Sequence, residues 1–129
     1  MSTMIGMDEP KLDFPNRREH VRVYYPLSCM KKFMPVLILH SRSYQVMDIS
    51  EKGLRFANPN SNLIPNSMLS VVLQFPDGST VSVMGRVVRR APKQIALRLE
   101  NGIPYTRIMS EQFRLRKLVV AGAISYNGR

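Results

Sequence analysis

The chain has 129 residues, of which 44% are hydrophobic, which is enough for the core of one ordinary domain. Lys and Arg number 19 against 9 Asp and Glu, and the net charge of +10 favours an anionic partner such as a nucleotide, a nucleic acid or an anionic membrane surface. A single cysteine, Cys29, and two histidines exclude an internal disulfide framework and argue against a Cys/His zinc site.

Residues 1–15 mix Gly, Pro, Met and acidic residues without periodicity, which predicts a flexible N-terminal arm. The acidic residues Asp8, Glu9 and Asp13 and the lack of an apolar run are the wrong composition for a secretory signal peptide. No apolar stretch approaches the roughly 20 residues that a membrane span requires. We therefore expect a cytoplasmic protein without a membrane span.

Between residues 21 and 100, short runs of Val, Ile, Leu, Tyr and Phe alternate with Pro, Gly, Asn and Ser, a pattern typical of antiparallel strands. Asp77-Gly78 predicts a two-residue hairpin with a type I′ turn, and Ser41-Arg42-Ser43 is a weaker turn candidate. So many strands in so short a segment favour closure into a small barrel, predicted over residues 16–101. The candidate strands are Val21–Met30, Phe33–His40, Tyr44–Ile49, Gly53–Ala57, Met68–Phe75, Thr80–Arg89 and Gln94–Glu100.

The pattern becomes helical after Gly102, because Pro104 suits a first helical turn and the next glycine is Gly122. We predict a C-terminal helix within residues 102–124 that packs on the barrel, followed by a tail over residues 125–129. The helix should turn one apolar face, including Ile108, Leu115 and Val119, toward the barrel. A second apolar strip on the adjacent face contains Met109, Phe113 and Val120, and a solvated face is expected for Arg107, Glu111, Arg114 and Lys117.

Nothing in the sequence predicts an enzyme. It contains no Walker-type phosphate loop, no Gly-x-Ser-x-Gly elbow and no His-Glu-x-x-His helix. His20 and His40 are interpreted as surface or strand-end residues without a partner for acid–base catalysis, and Cys29 as a small packed residue. We therefore expect no catalytic residues, no metal and no cofactor.

A basic cluster, Arg17-Arg18-Glu19-His20-Val21-Arg22, lies where the predicted arm meets the first strand. Guanidinium groups bind phosphate in a bidentate manner, match the O6 and N7 acceptors of guanine, and stack on purine faces. Taken alone, such a cluster is more often a solvated basic patch.

A second motif, Asp48-Ile49-Ser50-Glu51-Lys52-Gly53, falls at the junction of two predicted strands. The Ser50 hydroxyl can bind phosphate, Asp48 can accept hydrogen bonds from a guanine edge or orient an arginine, and Gly53 permits close backbone approach. Taken alone, this motif is an ordinary polar turn.

Together the two motifs resemble the signature of the PilZ family, Arg-x-x-x-Arg followed by Asp/Asn-x-Ser-x-x-Gly. Arg18 and Arg22 fill the first part, and Asp48, Ser50 and Gly53 fill the second after 25 intervening residues. The strand–turn–strand around the second motif, the later run Gly85-Arg86-Val87-Val88-Arg89 and the terminal helix are also similar to the family, so the resemblance extends over about residues 15–120.

The resemblance implies a six-stranded antiparallel β-barrel of the split-barrel type, capped by an α-helix, whose outer face binds cyclic di-GMP. It implies that Arg18 and Arg22 hold the phosphates and guanine edges of the ligand, that Asp48 and Ser50 read a guanine, and that Gly53 is the turn residue. An arginine directly before the motif, here Arg17, tends in this family to accompany two stacked ligands per chain.

We therefore expect a cyclic di-GMP receptor whose arm, around residues 8–18, changes conformation on ligand binding and signals to an unidentified protein partner. The alternative is a small basic nucleic-acid-binding β-barrel, which the 8% aromatic content and the absence of Trp disfavour. A PilZ-like interaction module without a ligand would be expected to lack the signature arginines. Arg89, Arg90 and Lys93 form a second basic cluster, which could extend the ligand site but is interpreted as a solvated strand end. Arg55 can be interpreted in either way, and none of these residues is included in the predicted site.

Overall fold

The computed structural model describes residues 21–26 and 31–124. These residues form seven β-strands, a short 3-10 helix at Lys31–Phe33 and a C-terminal α-helix. The elements are β1 (Val23–Tyr24), β2 (Val36–Leu39), β3 (Arg42–Ile49), β4 (Gly53–Ala57), β5 (Leu69–Gln74), β6 (Thr80–Ala91), β7 (Gln94–Leu99) and α1 (Tyr105–Val120).

Six of the strands form a closed barrel in the order β2-β3-β4-β7-β6-β5, and β5 pairs back with β2. Every pair in the ring is antiparallel. The short β1 pairs with the C-terminal half of β3 and thereby continues the edge that β2 occupies along the N-terminal half. The predicted six-stranded antiparallel barrel with a C-terminal helix is confirmed.

Alternate side chains of the strands fill the barrel, and α1 adds to the same core. Ile108 and Leu115 of the helix are buried in it, and Val119 packs against it, as the helical pattern predicts. Met109, Phe113 and Val120 remain largely exposed on the neighbouring flank of the helix.

The expectation that Glu111 lies on a solvated face is wrong, because its side chain is only 2% exposed. The Tyr25 hydroxyl donates to Glu111 Oε1 at 2.7 Å, and Arg114 donates to both carboxylate oxygens at 2.7 and 2.8 Å. These bonds satisfy a charge that burial alone would strongly disfavour. They also join the segment after β1 to the middle of α1.

The hairpin between β5 and β6 differs from the predicted type I′ turn. The Gly78 amide donates to the Phe75 carbonyl, and the Phe75 amide donates to the Ser79 carbonyl, so the loop has three residues, Pro76 to Gly78. Of these three described residues only Gly78 has a positive φ, +89°. This is the pattern of an ordinary turn followed by a left-handed glycine, which the fixed φ of Pro76 favours over a primed turn.

The two-residue turn with two positive φ angles lies instead between β2 and β3. Leu39 pairs with Arg42, and the residues between them, His40 and Ser41, have φ values of +50° and +68°. The predicted turn at Ser41-Arg42-Ser43 is therefore displaced by one residue, and His40 belongs to the turn rather than to the end of a strand.

Within residues 21–26, β1 is shorter than the strand predicted over Val21–Met30, and residues 27–30 of that prediction lie outside the described residues. Its pairing with β3 covers Val23 and Tyr24, and the Tyr25 amide adds one bond to the Met47 carbonyl. Pro26 follows and has no amide proton to continue the ladder. Phe33, predicted to begin the second strand, lies in the 3-10 helix, and β2 begins only after Pro35.

A β-bulge in β3 decides which way its last side chains point. The register shifts after Val46, which pairs with Phe56, to Asp48, which pairs with Arg55, so Met47 is the extra residue. Strict alternation from the inward-facing Val46 would turn Asp48 into the barrel. The bulge turns Asp48 to the outer face.

A second bulge lies in β6, where the register shifts between Val87 and Arg89 with Val88 as the extra residue. Arg89 then shares the outer face with Ala96, its partner on β7. Arg90 falls on the opposite face, and its guanidinium donates to a backbone carbonyl and a side chain at the barrel rim.

Candidate functional site

Asp48 is the centre of a cluster of polar side chains on the outer face of the barrel. Its carboxylate is 0% exposed because two guanidinium groups cover it. Arg22, just before β1, donates to Oδ1, and Arg55, from β4, donates to Oδ2 through Nε at 2.6 Å. Nη2 of Arg55 forms an ion pair with the same oxygen at 2.5 Å. Arg55 is held further by a 2.9 Å bond from Nη1 to Gln94 Oε1. The buried carboxylate thus fixes two arginines whose side chains are 33% and 31% exposed.

Ser50 and Gly53 belong to the loop between β3 and β4. Nη2 of Arg22 donates to the Ser50 hydroxyl at 3.1 Å, and that hydroxyl donates to the Gly53 carbonyl at 3.2 Å. A Cβ added to Gly53 would lie 3.3 Å from both Arg22 Nη2 and the Leu97 carbonyl oxygen. The absence of a side chain at this position therefore gives the Arg22 guanidinium room to lie against the loop.

The loop itself is anchored by the segment that leads into α1. The carbonyls of Glu51 and Lys52 accept hydrogen bonds from the amides of Ile103 and Leu99. At Gly102, whose φ is +64°, a Cβ would lie 2.7 Å from the Glu51 carbonyl oxygen. Backbone bonds to β7 and to the segment before α1 thus help to fix the loop that carries Ser50.

A groove of about 690 Å³ lies over these residues, within the size range of ordinary ligand pockets. Its floor contains Gly53 and Ala96, the two smallest residues of its lining, and Tyr24 lies at its β1 side. A second groove, of about 710 Å³, continues past Arg22 and Arg55 to Gln112, Arg116 and Val119 of α1. Besides the Asp48 carboxylate, the charged lining of the first groove is cationic and consists of Arg22, Lys52, Arg55, Arg89 and Arg98.

The structure brings Arg22, Asp48, Ser50 and Gly53 together, although they lie up to 31 positions apart in the sequence. The remaining predicted ligand residues, Arg17 and Arg18, lie outside the described residues. Such an arrangement of arginine donors on a concave surface suits an anionic ligand with hydrogen-bond acceptors.

Sequence reasoning left out Arg55, Arg89 and Arg98. The place of Arg55 beside Asp48 could have been predicted from the second motif. The turn in that motif pairs Ile49 with Leu54, and the next pair along the two strands is Asp48 with Arg55. Arg89 reaches the groove only through the bulge in β6. Lys93, with a φ of +62°, lies in the turn between β6 and β7.

Within residues 21–26 and 31–124, no group of three or more His, Cys, Asp or Glu side chains could hold a metal ion. Across the same residues, no helix has the length and apolar character needed to cross a membrane.

Comparisons with known proteins agree with this architecture. The crystal structure of the Legionella uncharacterized protein Lpg0364 is similar, with a TM-score of 0.55 and 17% identity over 77% of this chain and 97% of that chain. At this identity the likeness shows the fold alone. No curated protein sequence matches the chain. The family model of the PilZ domain matches residues 16–114, most of the chain, and the chain therefore belongs to the PilZ domain family.

Proposed function

We propose that this protein is a receptor that binds cyclic di-GMP in the groove above Asp48. The observation that carries the proposal is the buried Asp48 carboxylate shared by Arg22 and Arg55 on the floor of a cationic groove. The site residues are Arg22, Asp48, Ser50 and Gly53, and we include Arg17 and Arg18, which precede Arg22 in the chain. PilZ domains are ligand-binding rather than catalytic domains, and the proposal includes no catalytic residue, metal or cofactor.

Asp48 would serve mainly to orient the two arginines. Both of its oxygens already accept from guanidinium groups, so Arg22 and Arg55 are held in place before a ligand arrives. A guanidinium carries five N–H donors, and the donors and flat face that remain can bind a phosphate oxygen, the O6 and N7 acceptors of guanine, or a purine ring. Holding the arginines in advance lowers the entropy that binding must overcome.

The contacts available in the groove can supply the binding free energy that such a receptor requires. A micromolar dissociation constant corresponds to about −8.2 kcal/mol. Charge-assisted hydrogen bonds contribute about 1.5–3 kcal/mol each, so a few arginine contacts with stacking suffice. Fixing the backbone costs about 1–2 kcal/mol per residue, so only a short segment can become ordered on binding.

We further propose that the segment around residues 8–18 changes conformation when the arginines close over the ligand, and that this change alters a surface read by a protein partner. Two ligands per chain is the expected stoichiometry, from the presence of Arg17. A titration followed by backbone amide signals measures both. Unchanged signals for residues 8–18 at saturation would contradict the switch, and one ligand per chain would contradict the stoichiometry.

Calorimetry on the purified chain tests the binding itself. We expect binding of cyclic di-GMP in the micromolar range or tighter, and a loss of about tenfold or more in Arg22→Ala. Arg90→Ala is the matched control, because Arg90 is bonded to the Ile64 carbonyl and the Asn66 side chain away from the groove. No heat at tens of micromolar ligand, or equal affinities for all three proteins, would refute the proposal.

The alternative, a nucleic-acid-binding barrel, predicts a different salt dependence. Release of counterions from a polyanion makes log K fall steeply with log salt concentration, whereas a ligand with two phosphates gives a shallow slope. A steep slope for an oligonucleotide together with no binding of cyclic di-GMP would favour the alternative.

A further inference from the structure

The part of the groove formed by β6, β7 and the β3–β4 loop carries cations that no described residue neutralises. Lys52, Arg89 and Arg98 line the groove, and none of their side chains forms a hydrogen bond or ion pair with any residue that the structure describes. Arg22 and Arg55 on the other side are bonded to Asp48. Donor groups without a partner among residues 21–26 and 31–124 therefore face the groove from β6, β7 and the β3–β4 loop.

The strand register places two of these cations in line with the signature residues. Arg98 pairs with Gly53, and Arg89 pairs with Ala96, the neighbour of Arg55 on the next strand. Since Gly53 has no side chain and Ala96 has only a methyl group, no bulky group stands between the two walls at these positions. A ligand that lies on this floor is within reach of both walls.

The cationic wall is electrostatically unfavourable by itself. Arg98 lies directly opposite Arg86 on the neighbouring strand, and like charges in this position are destabilising. In the groove as a whole, five cationic side chains face one carboxylate. A bound anion would reduce this repulsion, and a phosphodiester supplies both the negative charge and the oxygen acceptors that arginine prefers.

We propose that Arg89 and Arg98, outside the signature motif, hold a phosphodiester group of the bound dinucleotide from the β6–β7 wall. This inference rests on the proposed function and adds to it a second set of ligand residues. Arg22 then holds one side of the ligand, and Arg89 and Arg98 hold the opposite side, so that a phosphodiester-bridged dinucleotide spans the groove.

The experiment compares Arg98→Ala, Arg89→Ala and the double variant with the native chain by calorimetry with cyclic di-GMP. Each single substitution should weaken binding by about tenfold, and the double variant should weaken it further. Arg42→Ala is the matched control, because it removes the same charge from an exposed position six residues along β3 from Asp48, about 20 Å away. It should change the affinity by less than about twofold.

A second measurement separates direct contact from a general effect of charge. The phosphorus NMR signals of the saturated ligand should differ between the native chain and Arg98→Ala, and should be unchanged in Arg42→Ala. Arg98→Lys keeps the charge but loses the planar fork, so its affinity should lie between those of the native chain and Arg98→Ala.

The outcomes distinguish the two proposals. If Arg22→Ala loses binding while Arg89→Ala and Arg98→Ala bind as tightly as the native chain, the second wall is refuted and the receptor function stands. If Arg42→Ala weakens binding as much as Arg98→Ala, the effect is net charge and the inference is also refuted. If the native chain does not bind the dinucleotide, both proposals fall.

Discussion

Gly53 lies directly against the guanidinium of Arg22, since a Cβ at Gly53 would stand 3.3 Å from Arg22 Nη2. The same guanidinium bonds to Asp48 and Ser50, so its position is fixed from three sides. The absence of a side chain at Gly53 therefore leaves room for the Arg22 guanidinium, and no positive φ calls for glycine at this position.

Gly53→Ala should weaken ligand binding by about tenfold, because the added methyl group pushes Arg22 away from Ser50 and crowds the Leu97 carbonyl. Calorimetry measures the affinity. Gly78→Ala is the control: nothing lies within 4 Å of its Cβ, but its φ is +89°. That variant should lose about 1–2 kcal/mol of unfolding free energy and keep its affinity. Equal affinities for Gly53→Ala and the native chain would contradict this role of Gly53.

Arg55→Ala should weaken ligand binding although Arg55 lies outside the signature. The substitution removes a groove cation and leaves Asp48 Oδ2 without the donors it has from Arg55. We expect a loss of about tenfold in affinity and about 1–3 kcal/mol in unfolding free energy. Gln94→Ala, which removes only the bond to Arg55 Nη1, should have a smaller effect on both quantities. The reverse order of the two variants would rule out this assignment.

Glu111→Ala should lower the unfolding free energy by about 2–4 kcal/mol, because it deprives the buried Tyr25 hydroxyl of its acceptor and breaks the pair with Arg114. We expect a smaller loss of unfolding free energy than for a fully buried ion pair, because the Arg114 side chain is 28% exposed. Tyr25→Phe should cost about 1–2 kcal/mol. Urea denaturation measures both, with the exposed Glu100→Gln as a control that changes little. An unchanged unfolding free energy in Glu111→Ala would contradict the structural role of Glu111.

The pKa of Asp77 is held below its usual value, first by the Ser79 hydroxyl and then by the Ser79 amide, both of which donate to its carboxylate. Because the pKa is lower in the folded state, this contribution to stability is present above the pKa of the unfolded chain and is lost as the pH falls through the folded value. An NMR titration of the Asp77 carboxyl carbon should show the low pKa, and Ser79→Ala should raise it. An unchanged pKa in that variant would refute the cause.

The barrel was predictable because its strands are short, apolar and separated by turn residues, and because the order of the two motifs matches one family. The types of the turns were harder to predict from the sequence. The turn at Asp77-Gly78 was predicted from its residue pair alone, whereas Pro76 before it favours a three-residue loop. The two-residue turn at His40-Ser41 contains no Gly or Asn that would have marked it.

The face on which Arg89 lies could not be predicted from the sequence, because β6 contains no local signal for its bulge. Simple alternation from Arg86 predicts that Arg90 shares its face, whereas the bulge at Val88 selects Arg89. Glu111 has the sequence setting of a surface residue, and its burial depends on Tyr25, which lies 86 positions away. Features of this kind depend on partners that only the folded chain brings close.

The bulge at Met47 is also a position where β3 could be one residue shorter without turning its later side chains to the other face. Interior side chains of β3 are two residues apart from Tyr44 to Val46 and three apart from Val46 to Ile49, so the strand contains one residue more than regular alternation needs. Removal of Met47 would leave Asp48 facing outward and Ile49 facing inward. The bulge thus takes up one residue between the His40-Ser41 turn and the β3–β4 loop. The length of β3 can therefore change by one residue at Met47 while Asp48 stays on the outer face.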